Sequence, residues 1–199
     1  MARRPDVQAF LDAVHAGFAA SRTEPETARC VRDTFALLDG SVGATKAGSQ
    51  RFPACAALPR ALDAAKAAGP ALARIASTFE ALVPSLGWSQ RNGGPNASAN
   101  LMDGHANAMV VGPCGLEDRS DAWVGISLLA PHVRYPDHQH APEEVYLLLS
   151  PGEFRQRDSL WFEPGFGGSF FNEPGILHTM RSGEVPLLAV WCLRPNQTI

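Results

Sequence analysis

The chain has little charge and no long run of any kind. Charged residues fill 19% of its 199 positions and the net charge is −3. No Lys/Arg run exceeds two residues, so the basic patch that nucleic acid or an anionic membrane surface would require is missing. No stretch approaches the roughly 18 consecutive apolar residues of a spanning helix. Arg3 and Arg4 stand near the N-terminus, but Asp6, Gln8 and Asp12 break up the next ten residues, which is not the pattern of a secretory signal. A cytoplasmic protein is expected. The four cysteines (Cys30, Cys55, Cys114, Cys192) have no CxxC spacing, so buried thiols are expected rather than a disulfide frame. Tyrosine is scarce, with two in the chain, and no internal repeat is evident.

The residues that are present divide into two halves. Apolar residues are 45% of the whole, enough for the core of one domain with a packed extension. Before residue 86 the apolar spacing is helical. Val7, Phe10, Leu11, Val14 and Phe18 form one stripe. Thr23 and Glu26 read as a capping box with Pro25 in the first turn, and Cys30, Val31, Phe35 and Leu38 continue a second helix that Gly40 can end. A third helix is broken or restarted at Pro59. Pro70 opens a fourth, with Leu72, Ile75, Phe79 and Leu82 on one face. Residues 1–86 are thus a helical region expected to pack on the rest. Residues 87–107, rich in Gly, Asn and Ser, read as a loop and a candidate lid. Two sequons, at Asn96 and Asn196, carry little meaning without a secretion signal.

Residues 108–199 change period. Short strand-like runs recur at 108–112, 122–130, 144–150, 159–163, 168–171 and 186–194, with Gly, Pro, Asp and Asn between them. That rhythm predicts an all-β barrel or sandwich.

One stretch, "DHQHAPEEVYLLLS" at 137–150, concentrates the chemistry. In a strand, residues two apart share a face. His138, His140, Glu144, Tyr146 and Leu148 are even-numbered; Val145, Leu147 and Leu149 are odd. A polar row facing the inside of a small barrel is costly unless something binds it. A divalent metal accounts for two imidazoles and a carboxylate converging there. His178, in "NEPGILHTM", is the best further ligand, and such a set leaves a coordination position open, as catalytic metals require. Glu143 reads as the solvent-side neighbour of the pair, and His15, His105 and His132 as surface or loop residues.

The two segments "HQHAPEE" and "GSFFNEPGILH" resemble the two conserved motifs of the cupin superfamily. Gly152 comes one position late, the Pro174-Gly175 pair is one residue tighter than the pattern, and Ser182 replaces the usual Asn, but the ligand positions His138, His140, Glu144 and His178 are all intact. The resemblance implies a mainly β fold, the cupin double-stranded β-helix or jelly-roll barrel, with the helical region as an N-terminal extension. More narrowly, "RYPDHQHAPEEVYLLLSPGEF" with "HTMRSGEVPLLAVWCL" resembles the cupin-type dimethylsulfoniopropionate lyases of marine bacteria. That resemblance implies a metal-dependent carbon–sulfur lyase forming acrylate and dimethyl sulfide by β-elimination, with Tyr146 as the base and Tyr135 lining the pocket.

The implied chemistry makes demands on the residues. A phenol with an ordinary pKa near 10 is about 1% ionised at pH 8, and half ionisation there needs a fall of about 2 pH units, or about 2.7 kcal/mol. A neighbouring divalent cation can supply this. A methylated sulfonium prefers aromatic faces, for which Trp161 and Trp191 are the expected contacts alongside Tyr135. The donor set accepts Zn, Fe, Mn, Ni or Co. The expected partner is a zwitterionic small molecule, with no nucleic acid and no membrane, and the protein a monomer or homodimer. The alternatives are a sugar isomerase or an iron oxygenase on the same frame, or a non-catalytic cupin that binds a small molecule.

Overall fold

The computed structural model describes residues 2–195, so the Asn196 sequon lies outside the described residues. The helices are α1 (Pro5–Ala20), α2 (Pro25–Gly40), α3 (Leu58–Ala68), α4 (Pro70–Leu82) and the one-turn α5 (Leu101–Gly104), with a 3₁₀ turn at Pro53–Ala57 leading into α3. Each of α1 to α4 has proline in its first turn, where the missing N–H would have had no intrahelical partner. The expected capping box is absent. Pro25 takes the first helical position and forces Glu24 before it into an extended conformation, so Glu24, not Thr23, is the N-cap and no side chain caps the helix. Glu26 pairs with Arg29 instead.

The expected apolar stripes are the buried faces. Phe10 of α1 meets Phe79 of α4 at 5.6 Å between ring centroids. Gly17 permits the close approach of α1 to its neighbours: a Cβ there would stand 2.5 Å from Ile75 Cδ1 of α4 and 3.0 Å from Leu147 in the sheet behind.

The strands are β1 (Ala44–Thr45), β2 (Trp88–Ser89), β3 (His105–Val111), β4 (Glu117–Asp118), β5 (Trp123–Leu129), β6 (Glu143–Leu148), β7 (Glu153–Gln156), β8 (Ser169–Asn172), β9 (His178–Arg181) and β10 (Leu187–Arg194). The larger sheet runs β1-β4-β3-β5-β10-β6-β8, with β2 on β3. A second sheet pairs β7 with β9, and isolated bridges from Arg134 and His138 extend it by adding the segment before β6 to β9. Two sheets wrapped around one interior, antiparallel except where β4 runs parallel to β3, with a helical layer outside, make the expected mainly β barrel with its N-terminal extension.

Strand parity decides what each residue faces. Val145, Leu147 and Leu149, with Val124, Ile126, Leu128, Leu188, Val190 and Cys192, share one buried cluster with α1 to α4. Tyr146 and Leu148, with Ala189, Trp191 and Leu193, belong to a second cluster inside the barrel. The apolar "outer" face of the sheet is therefore the floor of the helical layer. Each fully buried Leu, Ile or Val contributes about 1.5–3 kcal/mol at most.

Three expectations need correction. Residues 159–163 form no strand. Only Phe162 pairs back, with Phe154, because Arg157 takes a left-handed φ of 50° and turns the chain. The strands that do form nearby, β7 and β9, are short and mostly polar, and they escape a search for apolar runs. Glu143 is buried at 5% exposure, not solvated, and its carboxylate accepts from Arg29 of α2 and Arg194 of β10. His105 is also fully buried, at the start of β3. The segment 87–107 contains β2, α5 and the first residues of β3. No helix among the described residues is long and apolar enough to cross a membrane.

Candidate metal centre

Three segments bring the proposed ligands together: the stretch before β6, β6 itself, and β9, which bridges to that stretch. His138 and His178 exchange backbone hydrogen bonds at 3.0 and 2.8 Å, which sets their side chains next to one another with ring centroids 4.1 Å apart. His140 lies on the same face, 5.0 Å from His178. One nitrogen from each of the three imidazoles lies within 4.8 Å of the others. Glu144, near the start of β6, brings Oε2 to 3.4 Å from His140 Nε2 and 3.2 Å from His178 Nε2. Asn172 of β8, opposite Glu144 in the ladder, donates to the same carboxylate at 2.9 Å.

The hydrogen bonds fix what these rings present. Nδ1 of His138, His140 and His178 lies 3.0, 2.9 and 2.9 Å from the carbonyl oxygens of Pro136, Pro142 and Ile176. A carbonyl can only accept, so each Nδ1 carries a proton and each neutral ring offers an Nε2 lone pair. The Nε2 atoms of His140 and His178 are buried with no hydrogen-bond partner; the approach to Glu144 is close but wrongly angled. Lone pairs and a carboxylate thus face one another at a largely buried site, an arrangement that a bound cation relieves. The backbone carbonyls behind the rings orient them as supporting partners of metal ligands do. The residues present fit a divalent metal.

The electrostatics agree. Burial, then the neighbouring His178, pushes His138 down to about 4, so it stays neutral. Burial opposes the ionisation of Glu144, but His140 and His178 outweigh it and hold the carboxyl well below the usual range. Burial also opposes charge on His140, and Glu144 overcomes it and raises that imidazole.

A cavity of about 350 Å³ opens beside these residues. Its floor is the inner face of the larger sheet, in rows across the strands. Leu193 stands opposite both Trp123 and Glu144, Trp191 opposite Gly125 and Tyr146, and Ala189 opposite Ser127 and Leu148. Asn107 and Met109 of β3, Tyr135, Met180, Ser89 and Arg91 complete the lining. A larger groove of about 460 Å³ lies between the end of α1, the turn before α4 and residues 164–169, but Arg22 is the one ionisable side chain that lines it, so it lacks the chemistry of the barrel interior.

Tyr146 lines the cavity at 3% exposure, its ring stacked on Phe170 at 5.3 Å. Burial first, then the charge of Glu144, drives its phenol well above 10. Tyr135 is also buried, 5.0 Å from the His138 ring, and its hydroxyl accepts from Asn107 at 3.2 Å. Trp191 lines the cavity with its indole lying across Gly125, where a Cβ would come within 2.2 Å of the ring. Trp161 does not line it. Its ring sits among the guanidinium groups of Arg134, Arg155 and Arg181, 5.4, 5.3 and 4.2 Å from their carbons, because the strand expected to carry it inward does not form. Trp123, Asn107 and Ser127 also line the cavity, and no sequence motif marks Asn107 or Ser127. The odd parity of β3 and β5, once their register is known, points them inward.

Known proteins similar to this chain point the same way. A model of the dimethylsulfoniopropionate lyase family matches residues 26–189. The DddL protein of Cereibacter sphaeroides, provisionally named a dimethylsulfoniopropionate lyase, is 29% identical over 164 residues. That match covers 78% of this chain and 65% of the relative, so the chain spans under two thirds of the curated relative it matches. The crystal structure of the dimethylsulfoniopropionate lyase DddQ from Ruegeria pomeroyi superposes with a TM-score of 0.75 at 24% identity, covering 99% of this chain and 95% of that one. A chain from the crystal structures of the dimethylsulfoniopropionate lyases RdDddP and RnDddQII gives 0.73 at 18% identity, covering 97% and 94%. These two likenesses establish the fold, and with the family match over most of its length the chain belongs to the dimethylsulfoniopropionate lyase family.

Proposed function

We propose that this protein is a metal-dependent lyase that splits dimethylsulfoniopropionate into acrylate and dimethyl sulfide by β-elimination. The observation that carries the proposal is the set of inward-facing acceptors (His138, His140, Glu144 and His178) beside a cavity that also holds a buried tyrosine. Those four residues would hold one divalent metal. When bound, it supplies Lewis acidity toward the substrate carboxylate and the positive charge that a phenolate needs.

The chain's own residues do the rest. Tyr146 Oη takes the proton from the carbon next to the carboxylate. The electrons of that C–H bond become the new carbon–carbon double bond, the C–S bond breaks toward sulfur, and neutral dimethyl sulfide leaves. Glu144 and burial by themselves hold Tyr146 protonated, so the base role belongs to the metal-loaded protein alone. Trp191 and Trp123 offer aromatic faces to the sulfonium end. Asn107, Ser127 and Tyr135 bond to one another along one wall, at 2.7 and 3.2 Å, and set the position of the Tyr135 hydroxyl.

The test is headspace detection of dimethyl sulfide from purified, metal-loaded protein given dimethylsulfoniopropionate. Wild type is expected to release the gas, while His178→Ala loses both metal and gas. An inactive metal-loaded wild type would remove the lyase reading and leave the fold and metal centre standing.

A further inference from the structure

We infer that Arg91 grips the carboxylate end of the substrate from the mouth of the cavity, and that His105 is a positioning residue that sets the backbone from which it reaches. The inference rests on the proposed reaction for the identity of the substrate, but the geometry around Arg91 stands by itself.

Arg91 is the one arginine or lysine among the residues that line the cavity. Its guanidinium forms no ion pair among the described residues, whereas Arg3, Arg29 and Arg119 are each paired with a carboxylate.

The backbone beneath this side chain is fixed at every step. Trp88 and Ser89 pair with Ala108 and Asn107 of β3. The Gln90 side chain donates to the carbonyl oxygens of Met102 and His105 at 2.5 and 2.8 Å. The Arg91 N–H donates to Nε2 of His105 at 2.8 Å. His105 is fully buried, and its Nδ1 donates to the Leu101 carbonyl at 2.7 Å, which leaves Nε2 free to accept. Its ring stands edge-on to Tyr135 at 5.4 Å, and Tyr135 edge-on to His138 at 5.0 Å. One chain of packed rings thus links the anchor of Arg91 to the metal centre. An anchored backbone carrying a guanidinium that meets no carboxylate among the described residues, over a cavity, is a preorganised anion grip. The opposite charge of a zwitterionic substrate is met by Trp123 and Trp191 on β5 and β10. The ligand class is a small carboxylate with a cationic or apolar far end.

The test compares wild type with Arg91→Gln in steady-state cleavage of dimethylsulfoniopropionate and of its carboxamide, with metal content measured on both, and in calorimetric binding of acrylate. Arg91→Gln is expected to keep its metal, raise KM for the acid by roughly tenfold with a smaller change in kcat, lose about the same factor of preference for acid over amide, and weaken acrylate binding alike. His105→Leu should shift KM in the same direction, His105→Gln should restore it in part, and the Arg91→Gln/His105→Leu double variant should be no worse than Arg91→Gln. Unchanged KM, acid preference and acrylate affinity in Arg91→Gln would overturn the grip. If wild type releases no dimethyl sulfide, the proposed reaction fails, and the acrylate titration still decides on Arg91.

Discussion

Tyr146 and the ligand histidines divide the work at the level of single residues. Tyr146→Phe keeps the ring that stacks on Phe170 and removes only the proton acceptor. Its kcat is expected to fall by about 10²–10⁴-fold, the usual range for a lost acid–base group, with metal content unchanged; full activity would exclude the tyrosine as base. Metal binding should release a proton. His140 is raised by Glu144 in the metal-free protein, and a ligand must be neutral, so apparent metal affinity should fall as the pH drops through that raised value. Calorimetry in two buffers of different ionisation enthalpy counts the proton. Trp161→Ala should leave KM within about twofold, since the ring stacks on three arginines outside the cavity, and surface changes away from a site are usually mild.

Elements position these residues through their register. Trp191 reaches into the cavity because Gly125 on the neighbouring strand leaves the space its indole fills. Gly125→Ala would place a methyl 2.2 and 2.3 Å from that ring and 2.5 Å from the Ala108 carbonyl. A cost of about 1–3 kcal/mol in stability is expected, with a raised KM as Trp191 moves, measured by thermal melting and kinetics. Helix α2 is tied to the barrel by Glu143, whose carboxylate meets Arg29 at 2.7 Å and Arg194 at 2.6 Å. Parity alone shows that Glu143 and Glu144 point to opposite sides. It cannot show that the far side of Glu143 is covered, because both arginines are distant in sequence.

Across the whole molecule, the helical layer and the barrel share one apolar cluster, so a single cooperative unfolding transition is expected from parallel measurements of helix content and tryptophan fluorescence. Its pH dependence has a definite sign. Burial opposes ionisation of Glu143, yet Arg29 and Arg194 lower its pKa in the folded state; burial likewise opposes Glu117, which Arg3 and Arg119 lower. A carboxyl depressed on folding adds stability that is complete above its ordinary value near 4.3 and disappears as the pH falls through the folded value. Thermal denaturation midpoints of Glu143→Gln and Glu117→Gln should therefore depend less steeply on pH below that value than those of wild type. A slope equal to that of wild type would show that these pairs add nothing.

Much was legible in the sequence because it repeats locally. Proline at helix starts, a helical stripe such as Val7 to Phe18, and alternation from Glu144 to Leu149 are set by backbone geometry over a few residues; the prolines reappear in first turns, and the stripe and the alternation as buried faces. The spacing of two histidines and a glutamate, with a later histidine after Pro-Gly, is also local enough to read. The tertiary structure alone decided how distant segments meet. It placed His178 against His138, covered Glu143 with arginines, turned Trp161 outward, and set Arg91 over the cavity on the backbone held by His105. These outcomes depend on which strands pair and where the chain turns, and a residue's own neighbours in sequence do not carry that information.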